Sequence, residues 1–526
     1  MLFNSFEFLL VFLPLTLAGF YLLGRVRALY AAAWLAVMSL VFYAYLIPAY
    51  LALLLVSITL NFQVGKLISK AGRDHQAAPR RRLMFIGVAC NLAALAYFKY
   101  ANFILNTLDA LTGLQWSIAQ IALPLGISFF TFTQIAFLVD TSRGEASEPN
   151  FVHYLLFVTY FPHLIAGPIL HHGEMMPQFK LPQTYRLDAG NVAVGLSIFA
   201  VGLFKKVVLA DGVAVYVAPA FDAAAAGSAV DFYTAWTGAL CYTLQLYFDF
   251  SGYSDMAIGL SRLFGITLPL NFNSPYKATS IIDFWRRWHM TLSRFLRDYL
   301  YIALGGSRRG LARRMANVMI TMLLGGLWHG AGWTFVVWGG LHGVFLAVNH
   351  LWHAARSRSG ARSGPATFGG SLLGGGLTFL CVVLAWVFFR AANLDAALRL
   401  IEAMLSVPAV APARLATVTL PFELLNVLHW RLPPLLHVVG VDFGIFKIHP
   451  MTWIVVLLSV AWLMPNTQEL FRHFKPALGI EARPSIKSKL DFAWRPSMRT
   501  AALTAVLTLL SLINMNRVSE FLYFQF

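Results

Sequence analysis

Charge is the scarcest commodity in this sequence. Asp, Glu, Lys and Arg supply 12% of 526 residues, about half the share found in soluble domains, so water is not the chain's main solvent. Acidic residues are the rarer sign, 23 against 40 Lys and Arg, for a net charge of +17. That excess is spread over short loops between apolar runs and never gathers into a basic domain, which argues against nucleic acid as a partner. Cysteine is nearly absent: Cys90, Cys241 and Cys381 lie far apart in apolar segments, which excludes a disulfide framework, a cysteine zinc site and a redox pair. HExxH, CxxC and carboxylate-rich cation motifs are missing, so no metal is expected. The GxSxG nucleophile elbow is missing too, which leaves no serine-hydrolase machinery within the chain.

What fills the space is apolar. Hydrophobic residues make up 58% of the chain and the mean hydropathy is +0.66, more than one anchor of about 20 residues can supply. The reading is an all-α, polytopic integral membrane protein whose principal partner is the lipid bilayer. Apolar runs near 5–24, 28–46, 49–66, 83–99, 120–139, 151–170, 191–217, 233–260, 315–328, 331–351, 370–389, 452–465 and 499–515 predict roughly ten to twelve spans. The first run lacks a basic n-region before it and a small-residue cleavage site and is expected to be a retained span. Basic clusters at Lys70 to Arg82, Lys205-Lys206, Arg308 to Arg314 and Arg356 to Arg362 mark cytoplasmic loops. The chain reads as a single membrane domain, 1–526, with its core motifs at about 120–350, a Pro- and Arg-rich extramembrane connection at 407–450 and carboxy-terminal spans at 452–526.

Ionisable residues inside such runs mark candidate sites. From Met315 to Asn349 they are His329 and His342. Glycines flank His329 in Gly325-Gly326-Leu327-Trp328-His329-Gly330-Ala331-Gly332, so another backbone or a ligand can approach it. A neutral imidazole there can take a proton from a hydroxyl attacking a thioester, or carry the acyl group itself; the bland alternative is a histidine hydrogen-bonded between helices. The segment FWRRWHMTLSRFLRDYLYIALGG, 284–306, carries four arginines, an aspartate and a histidine among aromatics. It either lies in the headgroup interface or folds inward to line a polar cavity. Within it His289 is the second candidate, and Trp285, Arg286 and Arg287 are candidates for holding the phosphates of a nucleotide-bearing donor. Asp249 and Asp255 flank Ser251-Gly252; they read as a polar pathway or, with more weight, as caps of half-helices at a glycine break.

These motifs resemble the membrane-bound O-acyltransferases, and within them the alginate O-acetylation branch. The resemblance rests on PLGISFFTFTQIAFLVDTSRGE at 124–145, FPHLIAGPIL at 161–170, QLYFDFSGYSDMAIGL at 245–260, NFNSPY at 271–276, the 284–306 segment, MLLGGLWHGAGWTFVVWGGLHG at 322–343 and the terminal FLYFQF. It implies a ring of tilted helices around a thin centre, with His329 of the WHG motif catalytic and His289 of the RRWH motif the second functional position. It also implies acetyl-CoA as a cytoplasmic donor that is not a bound cofactor, an inner-membrane location, and a periplasmic SGNH-type acetyltransferase with other exopolysaccharide subunits as partners. Alginate is the acceptor expected first. The segment MPNTQELFRHFKPALG at 464–479 resembles wider relatives, including those for cellulose acetylation, and keeps cellulose or another secreted polymer open. A transporter or flippase, or a structural subunit of an export complex, is the alternative of a different class; no internal repeat supports transport.

Overall fold

A chain this apolar must satisfy its backbone groups internally, and helices do so within one segment. The computed structural model describes residues 1–526 apart from 46–47, 114–120, 360–366, 407–449, 480–492, 516–521 and 523–526. Among the described residues every regular element is helical and no strand forms. The helices that build the site's surroundings are α1 (Leu51–Arg73), α2 (Ala77–Leu95), α3 (Ala101–Thr112), α4 (Ile127–Arg143), α5 (Phe151–Thr159), α6 (Ala189–Phe204), α7 (Phe232–Leu263), α8 (Ile281–Trp285), α9 (Met290–Phe295), α10 (Gly310–His329), α11 (Trp333–Arg358) and α12 (Phe368–Arg390).

Among the described residues five helical stretches are long and apolar enough to cross a bilayer: Pro48–Arg73, Ala77–Thr112, Ala189–Ala214, Trp333–Arg358 and Phe368–Arg390. Four shorter apolar helices accompany them, Phe8–Gly24, Ala28–Ala44, Pro450–Leu463 and Met498–Asn514. The protein is thus an all-α, multi-pass membrane protein. The expected span at 151–170 is not one helix: α5 stops at Thr159, Tyr160 leaves the helical region, and a single turn, Phe161–Leu164, follows with Pro162 in it. The expected connection at 407–450 lies outside the described residues except for Pro450.

The expectation of half-helices around Ser251-Gly252 is overturned. α7 runs 32 residues without a break, and Gly252 serves instead for close approach, since a Cβ there would sit 2.8 Å from the Gly202 carbonyl oxygen of α6. Neither Asp249 nor Asp255 caps anything. Lys206 Nζ lies 2.8 Å from Asp249 Oδ1 and 2.7 Å from Asp211 Oδ1, while Lys205 Nζ donates to Asp255 Oδ2 at 2.6 Å. Two neighbouring lysines just past α6 thus bind carboxylates on α7, and Lys206 also Asp211 of its own stretch, in an apolar setting where losing either partner strands a charge. Asp255 also accepts from Thr467 Oγ1 at 2.6 Å and Gln468 Nε2 at 3.2 Å. Asn466 Nδ2 reaches Asn273 Oδ1 and Ser274 Oγ at 3.0 and 2.9 Å. The MPNTQ segment is therefore a clasp that closes the carboxy-terminal part onto the NFNSPY loop.

Candidate active site

The segment 284–306 folds inward. α8 ends at Trp285, the chain turns through Arg286 to His289, and α9 starts at Met290. His289 occupies the left-handed region at φ 43°, an uncommon place for a residue with a Cβ. That turn drives Phe284, Trp288 and His289 into the core, where they are at most 2% exposed. Arg286 stays outside.

Hydrogen bonds decide which nitrogen of His289 carries its proton. Asn271 Oδ1 accepts from Thr291 N at 3.4 Å and Thr291 Oγ1 at 3.0 Å, and Asn271 Nδ2 donates to Ser254 Oγ at 3.3 Å. The amide oxygen therefore faces His289 Nδ1, 3.0 Å away, and an oxygen can only accept. Nδ1 carries the hydrogen, and Nε2 holds the lone pair.

His329 ends α10, and α11 turns back beside it. The hairpin is tight because glycines face carbonyls: a Cβ on Gly326 would overlap the Phe335 oxygen, and one on Gly339 the Met322 oxygen. So the glycines admit a neighbouring backbone, one of the two uses their placement allowed. The His329 ring is 5% exposed, edge-on to Trp338 at 5.1 Å and Phe389 at 5.2 Å. His289 and His329 stand 6.3 Å apart, centroid to centroid, near enough to act on one small group. His342 backs this wall: it accepts from Trp285 Nε1 at 3.2 Å and stacks edgewise on Trp338 at 4.8 Å.

One residue of this site escaped the sequence reading. Lys99, only 8% exposed, donates to the carbonyls of Trp328 at 2.5 Å and His329 at 3.1 Å and to Ser128 Oγ at 3.3 Å. Tyr100 OH donates to the Leu327 carbonyl at 2.8 Å. Carbonyls at a helix end lack partners along the helix, and a cation there also meets the negative end of the helix dipole. A lone lysine in AYFKY, inside an apolar run, was the available signal.

Two cavities bracket the histidines. One, about 500 Å³, is lined by Trp285, Arg286, Thr291, Arg294 and Arg297; Thr291 joins it to the Asn271–His289 network. The other, about 100 Å³, is lined by Lys99, Leu125, Gly126, Ser128 and Trp328. Of the donor-site candidates, Trp285 and Arg286 line the larger cavity. Arg287 does not; its Nε is bound to Asp283 at 2.9 Å. Arg294 forks onto Glu174, and Arg297 onto Asp298. Asp249 and Asp255 belong to the lysine pairs described above.

The histidines at 163, 171 and 172 have their own partners. His163 Nε2 donates to the Phe157 carbonyl at 2.9 Å, His171 Nδ1 lies 2.9 Å from Tyr299 OH, and His172 Nε2 lies 3.3 Å from Glu148. Burial pushes the Glu148 carboxyl up, but hydrogen bonds from His153, His172 and the Asn150 backbone prevail and hold it down at about 2. Among the described residues no group of three His, Cys, Asp or Glu side chains is placed to hold a metal ion.

Two buried imidazoles, one with its tautomer set, between a cavity of arginines and a second cavity form an arrangement suited to proton transfer and acyl transfer. Comparison with known proteins agrees. Residues 91–368 match the MBOAT, membrane-bound O-acyltransferase family. The chain is 39% identical over 503 residues to the peptidoglycan O-acetyltransferase of Helicobacter pylori, covering 90% of this chain and 91% of that protein. It is 43% identical over 411 residues to the probable alginate O-acetylase AlgI of Azotobacter vinelandii, covering 77% and 78%. The teichoic acid D-alanyltransferase of Streptococcus thermophilus is 28% identical over 282 residues, 50% of this chain and 68% of that one. On the family match and these relatives, with an all-helical membrane fold, this chain belongs to the membrane-bound O-acyltransferase family and is a membrane O-acetyltransferase.

Proposed function

We propose that the enzyme takes acetyl from acetyl-CoA at the cytoplasmic face of the inner membrane and passes it through the His289–His329 site for O-acetylation of a secreted polysaccharide, alginate first. The observation that carries this reading is the 6.3 Å approach of the two imidazoles beside a cavity holding Arg286, Arg294 and Arg297. Guanidinium groups suit donor phosphates, and a cytoplasmic position for that cavity is supported by the positive-inside reading of the basic loops around the core. Arg286 remains the donor residue of choice; with Arg287 tied to Asp283, Arg294 and Arg297 join Arg286 and Trp285 there. His329 acts on the thioester. The attacking hydroxyl oxygen bonds to the acetyl carbon, the carbon–sulfur bond breaks, and an imidazole moves the hydroxyl proton to the departing thiolate. If His329 instead carries the acetyl in transit, its ring nitrogen first bonds to the acetyl carbon as the carbon–sulfur bond breaks and the thiolate leaves, and the acceptor hydroxyl then displaces the imidazole, which takes up the hydroxyl proton; a single-turnover trap with labelled acetyl-CoA separates the two routes. The small cavity by Lys99, Ser128 and Trp328 lies at the opposite end of α10 from its arginines and serves the acceptor side. Handover to a periplasmic SGNH-type transferase completes the route, since this chain has no serine nucleophile motif.

A second acceptor has a specific observation behind it: the peptidoglycan O-acetyltransferase aligns over more of this chain than the alginate protein does. Deleting the gene and assaying ester-linked acetate in alginate, cellulose and peptidoglycan tests the assignment. Loss from alginate alone supports it. Loss from another polymer with alginate unchanged overturns alginate and names the acceptor.

A further inference from the structure

Trp285 lines the arginine cavity from the last position of α8, a helix of five residues that runs straight into the turn from Arg286 to His289. So short an element does not by itself fix where a half-buried indole points. One hydrogen bond does: Trp285 Nε1 donates to His342 Nδ1, on α11, at 3.2 Å. An indole N–H can only donate, so Nδ1 of His342 carries the lone pair and Nε2 the hydrogen. That Nε2–H is buried and has no hydrogen-bond partner among the described residues. A buried unpaired donor costs stability, and an apolar side chain of the same size would avoid the cost. Packing alone therefore does not account for a histidine at this position; the acceptor it offers to Trp285 does.

The contact also reaches the catalytic ring. Trp285 stands edge-on to Trp338 at 5.9 Å, His342 packs on the same indole at 4.8 Å, and Trp338 in turn stands edge-on to His329 at 5.1 Å. Trp338 is 1% exposed, so close packing holds it against any turn of its neighbours. We propose that His342 is a positioning residue: by accepting from Trp285 Nε1 it holds the indole between the arginine cavity and the Trp338–His329 pair, and so sets how tightly the donor is bound. His342 does not itself line the cavity and acts through Trp285. The inference rests on the arginine cavity taking the donor.

The test is calorimetric titration of the full-length protein, in phosphatidylcholine nanodiscs, with CoA, together with thermal unfolding of each variant. His342→Leu, which keeps the volume and removes the acceptor, should weaken CoA binding about tenfold, the scale of one hydrogen bond. Its unfolding temperature should equal that of wild type or exceed it, because the unpaired N–H is gone. His342→Asn, whose Oδ1 stands where Nδ1 stood, should recover most of the affinity. Trp285→Phe should also weaken CoA binding, and adding His342→Leu to it should cost nothing more, since the interaction is already absent. Wild-type affinity in His342→Leu, an Asn variant no better than the Leu variant, or losses that add in the double variant would each overturn the positioning role and leave the donor reading standing. So would affinity lost only in step with a fall in unfolding temperature, which would make His342 a packing residue. Failure of wild type to bind CoA overturns both.

Discussion

Lys99 donates to the carbonyls of Trp328 and His329, so it fixes the backbone from which the His329 imidazole projects. A hydrogen bond from a charged group is worth about 1.5–3 kcal/mol, and if most of that is spent on aiming His329, its loss falls on turnover. Lys99→Met is therefore expected to lower kcat about ten- to a hundredfold with KM for acetyl-CoA nearly unchanged, and Lys99→Arg to recover part of it. A rise in KM with kcat preserved, or equal loss in both variants accompanied by loss of folded protein, would contradict this positioning role. His289 is a different case, since its orientation comes from its own side chain: Asn271 holds Nδ1–H, and the φ of 43° turns the ring inward.

Among elements, the α10–α11 hairpin carries the site, and its glycines set how closely the two helices approach. Gly339 and Gly340 are neighbours with opposite expectations. A Cβ on Gly339 would overlap the Met322 carbonyl oxygen, whereas one on Gly340 would meet Leu323 Cδ2 at 3.6 Å, an ordinary contact. Gly339→Ala should destabilise by at least about 1–3 kcal/mol, as overpacking does. Gly340→Ala should be neutral or stabilise by up to about 1 kcal/mol through helix propensity. Thermal unfolding of both purified variants checks the pair, and a Gly339→Ala protein as stable as Gly340→Ala would refute the close-approach account. Glycine spacing in MLLGGLWHGAGWTFVVWGGLHG announces that something comes near; the sequence leaves open whether that is a backbone or a ligand, because local spacing does not identify the partner. The same holds for Asp249 and Asp255. Their burial was legible from the apolar run around them, but Lys205 and Lys206, which bind them, lie some 50 positions away and read as a cytoplasmic loop. Length alone likewise hid the break at Tyr160, where Pro162 follows an otherwise apolar stretch.

At the scale of the whole molecule, hydropathy and basic loops announced an all-α multi-pass membrane protein, and the WHG and RRWH motifs singled out His329 and His289. What they do not convey is convergence. His289 and His329 are 40 positions apart and meet only because the chain reverses at His289 and α11 folds back on α10. Lys99 arrives from a helix 230 positions before His329, and no local pattern connects them. Arg286 and Arg287 look equivalent in sequence, yet Asp283, one helical turn before Arg287, ties that residue up and leaves Arg286 facing the arginine cavity. The central claim is that chemistry passes through His329. The direct measurement is ester-linked acetate in alginate, cellulose and peptidoglycan from cells carrying wild-type protein or His329→Gln, with equal membrane levels verified by immunoblot. Loss of acetate from the acceptor polymer at equal protein level is the predicted result; acetate unchanged at equal protein level would contradict the account.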